Sequence, residues 1–242
     1  MQLYPMPLEI CCYNATSAIV AADAGANRIE LCAGASGGIT PSIGTIETVC
    51  NSINIPVHVL IRPREGNFNY SKKEFEVILK DIETCEKIKV AGVVFGILDS
   101  SKKVDVNRCK ELISVANGMR CIFHKAIDIV PDIESAFETI IDCGFKTVLT
   151  SGGKQNVFHG LQQLLRLKQT FGSAIQIMPG GGIRSENISA INNVLHSKWY
   201  HSSAIINTNT NEKVEMYDNN DILMCNTQEI NAMQLYLNKA NS

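Results

Sequence analysis

Two short runs, LEICCYN and NRIELC, each set a glutamate two residues before a cysteine: Glu9 with Cys11, and Glu30 with Cys32. Both runs are apolar, as buried strands are, and a strand turns residues i and i+2 to the same side. Each carboxylate therefore shares a face with its thiol. If the two strands are parallel neighbours, their backbones lie ~4.8 Å apart, and two thiolates on that spacing suit a soft ion. Zinc normally takes four ligands, so a bare pair favours Cu(I) among the soft metals. Cysteine is also a small residue that packs readily in cores, and that reading stays open beside the metal one.

Further polar residues fall on strand-like runs. Arg62, His124 and His201 join Glu9 and Glu30 as candidates for inward positions, and Arg64, Lys125 and Asp128 continue the set into the loops RPREGNFNY and FHKAID. An unpaired buried ion costs several kcal/mol, so such groups must be paired, protonated or bound to something. An internal ion pair of Glu9 or Glu30 with Arg62 is one reading. A ligand site is the other, and convergence from five strands favours it. In that reading Glu9, Glu30 and His124 share acid–base work on a small phosphorylated or carboxylated metabolite, with Arg62, Asp128 and His201 completing the pocket. His58, early on its strand, reads as structural.

Glycines supply a third signal. TSGGKQN places Ser151 and Gly152 after one strand, and MPGGGIRSEN places Gly180, Gly181 and Gly182 after the next. Exposed amides of this kind form an anion cradle, and phosphate sites in barrels lie frequently after strands seven and eight. Ser202 and Ser203 of HSSA add hydroxyl donors. Tight glycine turns between strand and helix would look the same.

The elements that must position these groups alternate regularly. Strand-like runs fall at 8–12, 28–32, 57–62, 92–95, 120–124, 146–150, 175–178 and 199–202. Between them lie amphipathic segments of helical period. Phe75, Ile78, Leu79, Ile82 and Cys85 form one stripe behind a Ser71–Glu74 capping box. Ile133, Ala136, Phe137, Ile140 and Ile141 form another, stopped by Gly144. A helix is expected from Pro41–Ser42, and another from Ser185 carrying Ile188, Ile191 and Leu195. Eight strand–helix units predict a single (β/α)8 TIM barrel over residues 1–242, with active residues at the carboxyl ends of the strands. An irregular segment, 206–226, is expected as a lid, tail or partner surface, followed by a C-terminal helix at 227–240. Cys12 should face the helix layer, and Cys50, Cys85, Cys109 and Cys143 read as packing.

The bulk numbers narrow the class. The chain has 242 residues, 45% hydrophobic, with a net charge of −2, so no basic surplus points to nucleic acid. No apolar run approaches the ~20 residues of a membrane helix, and the first residues lack the form of a secretory leader. Nine scattered cysteines fit a reduced cytoplasmic protein better than a disulfide scaffold.

In order, LEICCYN, NRIELC, GGITPSIG, IRPREGNFNY, FHKAID, LTSGG, PGGG and HSSA resemble the CutC copper homeostasis family, over about residues 8 to 204. The resemblance implies a TIM barrel, a cytoplasmic location, a role in copper handling, and self-association, taken here as a homodimer. It also implies that Cys11 and Cys32 bind Cu(I). The chain departs from the family pattern in places, and after Ala204 it drifts from that pattern. Lys125 stands where FHRAFD has arginine, which keeps the charge but loses the bidentate fork. Asn67 stands where an acid is usual.

Overall fold

The computed structural model describes residues 7–34, 37–205 and 223–239. Eight strands run through them: β1 (Leu8–Cys12), β2 (Arg28–Leu31), β3 (Val57–Leu60), β4 (Gly92–Phe95), β5 (Arg120–Phe123), β6 (Thr147–Thr150), β7 (Gln176–Pro179) and β8 (Tyr200–Ser202). All neighbouring pairs are parallel, in the order β7-β6-β5-β4-β3-β2-β1-β8. A bridge between Gly180 and His201 closes the remaining seam into a TIM barrel. The seam needs glycine: a Cβ on Gly180 would lie 2.4 Å from Leu149 and 3.1 Å from the His201 Cβ. The strands match the expected runs to within two residues.

Strand alternation sorts the side chains into two layers. Leu8, Ile10 and Cys12 of β1 join the large apolar core beneath the helices, with Cys12 fully buried. Cys11, Cys32, Leu60, Val94, Ile122, Leu149 and Met178 form a separate cluster inside the barrel. Parallel strands covered by helices have no wet face, which is why these runs read as continuously apolar.

The covering helices are α1 (Ala15–Asp23), α2 (Ile43–Ser52), α3 (Lys72–Ile88), α4 (Val106–Val115), α5 (Ile133–Cys143), α6 (Val157–Phe171), α7 (Ile188–Leu195) and α8 (Thr227–Lys239). The Ser71–Glu74 capping box opens α3, Ser42 caps α2, and Gly144 ends α5 at φ 101°. The α7 start differs from expectation by a turn. Glu229 of α8 accepts hydrogen bonds from the Ser185 amide and hydroxyl, both at 2.6 Å, and the Asn187 side chain turns back to the Arg184 amide at 2.9 Å. These contacts hold residues 185–187 as a separate turn, so the helix begins at Ile188. Residues 206–222 of the expected irregular segment lie outside the described residues. After them the Cys225 amide donates to Ser17 Oγ at 3.0 Å, tying the approach to α8 onto α1.

Candidate functional site

A cavity of about 380 Å³ opens at the carboxyl ends of the strands. Its wall carries Cys11, Tyr13, Glu30, Cys32 and His201 from the β1, β2 and β8 side, and Arg62, His124, Lys125 and Arg184 from elsewhere around the mouth. The acids, thiols and imidazole of distant segments therefore meet inside the barrel.

Register explains the thiol pair. Cys11 stands beside Glu30 in the ladder, and Cys32 lies one residue past the end of β2, on the same inward face. The two sulfurs are 3.5 Å apart and share a hydrogen bond, and Cys32 Sγ also lies 3.7 Å from Glu30 Oε2. Ligand atoms of Cys11, Glu30 and Cys32 all fall within 4.8 Å of one another.

Beneath this group sits Glu9, fully buried and below the cavity rather than on its wall. Its partner is not Arg62, the ion pair the sequence suggested, but Arg28. The two are ladder neighbours on adjacent strands, with Arg28 Nε 2.5 Å from Glu9 Oε2. Arg62 stands two residues beyond the end of β3 and instead donates to Gly38 O at 2.9 Å and Gly66 O at 2.8 Å, bracing two loops of the mouth. His201 Nδ1 donates to Glu9 Oε1 at 2.7 Å, leaving Nε2 3.7 Å from Glu30. His58 Nδ1 lies 3.3 Å from Glu9 Oε2 but off the line of a hydrogen bond.

Charge distributes unevenly over this cluster. Burial opposes ionisation of Glu9, yet Arg28 beside it, the hydrogen bond from His201 and the nearby His58 hold its carboxyl well below the usual range. Among the described residues Glu30 has no cation nearer than His201, and burial together with the neighbouring Cys11 pushes it well up. The hydrogen bond from Cys32 lowers the Cys11 thiol against the cost of burial, with help from His201 and Tyr13, while Cys32 is raised as the donor. Burial disfavours the His201 imidazolium, but Glu30 and its contacts to Cys11 and Glu9 outweigh it and raise His201. Of the two, Cys11 is thus the thiol that ionises more readily, beside a histidine favoured in its protonated form.

His124 is built differently. It caps the 3-10 turn Lys125–Ile129 by accepting the Ala126 amide on Nδ1 at 3.3 Å. That contact fixes the neutral tautomer with its proton on Nε2. The Nε2 atom is buried and has no partner among the described residues. Burial, then the charge of Arg62, pushes the histidine down to about 3. The ring has room because its neighbour is Gly96, where a Cβ would lie 2.6 Å from Nδ1.

The remaining predicted residues divide. Gly181, Gly182 and Ser202 border the cavity, whereas Asp128, Ser151, Gly152 and Gly180 stand behind the wall. Asp128 is consumed by structure: it accepts from Lys125 Nζ at 2.6 Å, Thr150 Oγ1 at 2.5 Å, the Ser151 hydroxyl at 2.9 Å and the Gly153 amide at 2.9 Å. Ser151 is spent on Asp128, Lys125 and the Lys154 carbonyl. The sequence reading passed over Arg28, Tyr13 and Arg184. Arg28 and Tyr13 were within its reach, since each continues the alternation that picked out its neighbours. Arg184 sits on a loop with no period to betray it.

An eight-stranded parallel barrel whose polar, thiol-bearing cavity lies at the carboxyl ends of its strands has the general form of the ligand-binding TIM barrels. Comparison with known proteins narrows this. A sequence profile described as the CutC family matches residues 6–206, and the chain belongs to that family. It is 40% identical to a family protein CutC of Enterobacter sp. (strain 638), over 79% of this chain and 81% of the relative. It is also 40% identical to the human protein named copper homeostasis protein cutC homolog, over 81% of this chain and 72% of that one. The solved structure of a CutC protein from Streptococcus agalactiae superimposes with a TM-score of 0.78 at 30% identity, covering 82% of this chain and 98% of that chain.

Proposed function

We propose that this chain is a copper-handling protein that takes Cu(I) as its cargo at Cys11 and Cys32. The observation that carries the reading is the pair of sulfurs 3.5 Å apart at the cavity wall, with the Glu30 carboxyl beside them. At metal–sulfur lengths of ~2.3 Å, both sulfurs can reach one ion. Thiolates are soft donors and select Cu(I) over hard cations, while a low coordination number disfavours zinc. The lowered Cys11 thiol yields its proton more readily than Cys32, and binding would release the Cys32 proton. The name of the human relative points the same way. Nine free cysteines suit the reducing cytosol, where such ligands stay available.

Anaerobic Cu(I) titration against a chromophoric chelator tests this. One ion per chain is expected, with stoichiometric binding lost in the Cys11→Ser/Cys32→Ser protein. One-to-one binding that survives the double replacement refutes the assignment.

A further inference from the structure

The copper reading uses only part of the cavity lining. Two further features of that lining stay unexplained by it, and neither depends on the thiols. His124 offers a buried Nε2–H with no acceptor among the described residues, at 6% exposure. An unmet buried donor is costly, so such a group is normally satisfied by something that enters the site. The second feature is Arg184. Its hydrogen-bond partners among the described residues are neutral: the Ile183 carbonyl at 2.8 Å and the hydroxyls of Ser202 and Ser203 at 3.2 and 3.3 Å. The charge of Lys125, by contrast, is already met by Asp128.

We infer that the cavity wall carrying Arg184 and His124 forms an anion site, binding the carboxylate or phosphate end of a small metabolite. Arg184 provides the positive charge: among the described residues its guanidinium is anchored by two hydroxyls and a carbonyl rather than by an acid. His124 provides a neutral donor that keeps its single Nε2 proton through the physiological range. Arg62, braced by its loops, adds positive potential to the same wall. Gly181 and Gly182 let backbone border the cavity where side chains would intrude; a Cβ on Gly181 would come within 3.2 Å of Lys125 Nζ. The volume admits a small molecule, at the lower end of the ~300–1,000 Å³ common for ligand pockets.

The test uses the whole chain, with inorganic phosphate and malonate as probes and potassium chloride at matched ionic strength as the reference. A rise in Tm with phosphate alone assigns a phosphate group, with malonate alone a carboxylate, and with both a site for either. Arg184→Gln is expected to weaken the effect at least tenfold, and Cys11→Ser/Cys32→Ser to leave it unchanged, so failure here and failure of the copper reading are separable. Should Arg184→Gln not fold, the unmodified protein labelled with ¹⁵N-histidine decides the matter, because the His124 Nε2 resonance must shift on saturation with the probe. No stabilisation beyond that given by chloride, or an Nε2 resonance indifferent to the anion, overturns the inference.

Discussion

At the residue scale, the most consequential contact is the one that leaves the cavity free. Glu9 and Arg28 are buried together and neutralise one another beneath the thiols, with the Arg28 guanidinium 3.6 Å from the centre of the Trp199 ring. Replacing one member of a buried pair strands the other in a medium that cannot solvate it. Arg28→Met is therefore expected to destabilise the fold by about 3–5 kcal/mol in urea unfolding. Trp199 is the chain's single tryptophan, so the same titration followed by fluorescence should also show altered native emission. A loss below about 1 kcal/mol would mean that Glu9 had taken up a proton at little cost. Alternation placed Glu9 and Glu30 on the inner face in advance. What the sequence did not disclose was that Glu9 is neutralised by Arg28 of the neighbouring strand while Glu30 meets His201 instead.

At the element scale, the mouth depends on contacts between segments far apart in the chain. Ser185 follows Arg184 directly, and Glu229 of α8 holds its amide and hydroxyl. The C-terminal helix thereby fixes the loop that carries Arg184 to the cavity wall. Glu229→Ala leaves the Ser185 donors unmet and should cost about 1–3 kcal/mol by chemical denaturation, with Glu229→Gln recovering part of it. Equal stabilities of the alanine variant and the parent would show that water replaces the carboxylate freely. The helices themselves were readable wherever local chemistry sufficed: the capping box of α3 and the glycine stop of α5 lie within a few residues of what they cap. The start of α7 was not, because its competitor for the Ser185 amide comes from 44 residues away.

At the scale of the whole molecule, the buried titratable groups couple cavity chemistry to stability. His124 is held neutral down to about 3, whereas an unfolded histidine titrates near 6.5. Between those values the unfolded chain binds a proton that the folded chain refuses. The contribution is complete above about 6.5 and is lost as pH falls towards 3, at no more than about 1.4 kcal/mol per pH unit. Glu9, also lowered, acts in the same direction further into acid, while the raised Glu30 opposes both. The informative quantity is thus a difference. His124→Asn keeps an acceptor for the Ala126 amide but does not titrate, so its stability should fall less steeply than the parent's between pH 6.5 and 4. Identical slopes from urea unfolding across that range would remove His124 from the account.

The sequence by itself determined the alternation of strands and helices, the inward face of each strand and hence the cast of acids, thiols and imidazoles inside the barrel. Those are properties of neighbouring residues, set by a two-residue period in strands and by caps and stops in helices. Only the tertiary structure decided the partnerships: Arg28 for Glu9, a shared bond for Cys11 and Cys32, confinement behind the wall for Asp128, and a place on it for Arg184. Each of these turns on strand register and on loops meeting across the mouth. Such distances are fixed when the barrel closes, and no local spacing encodes them.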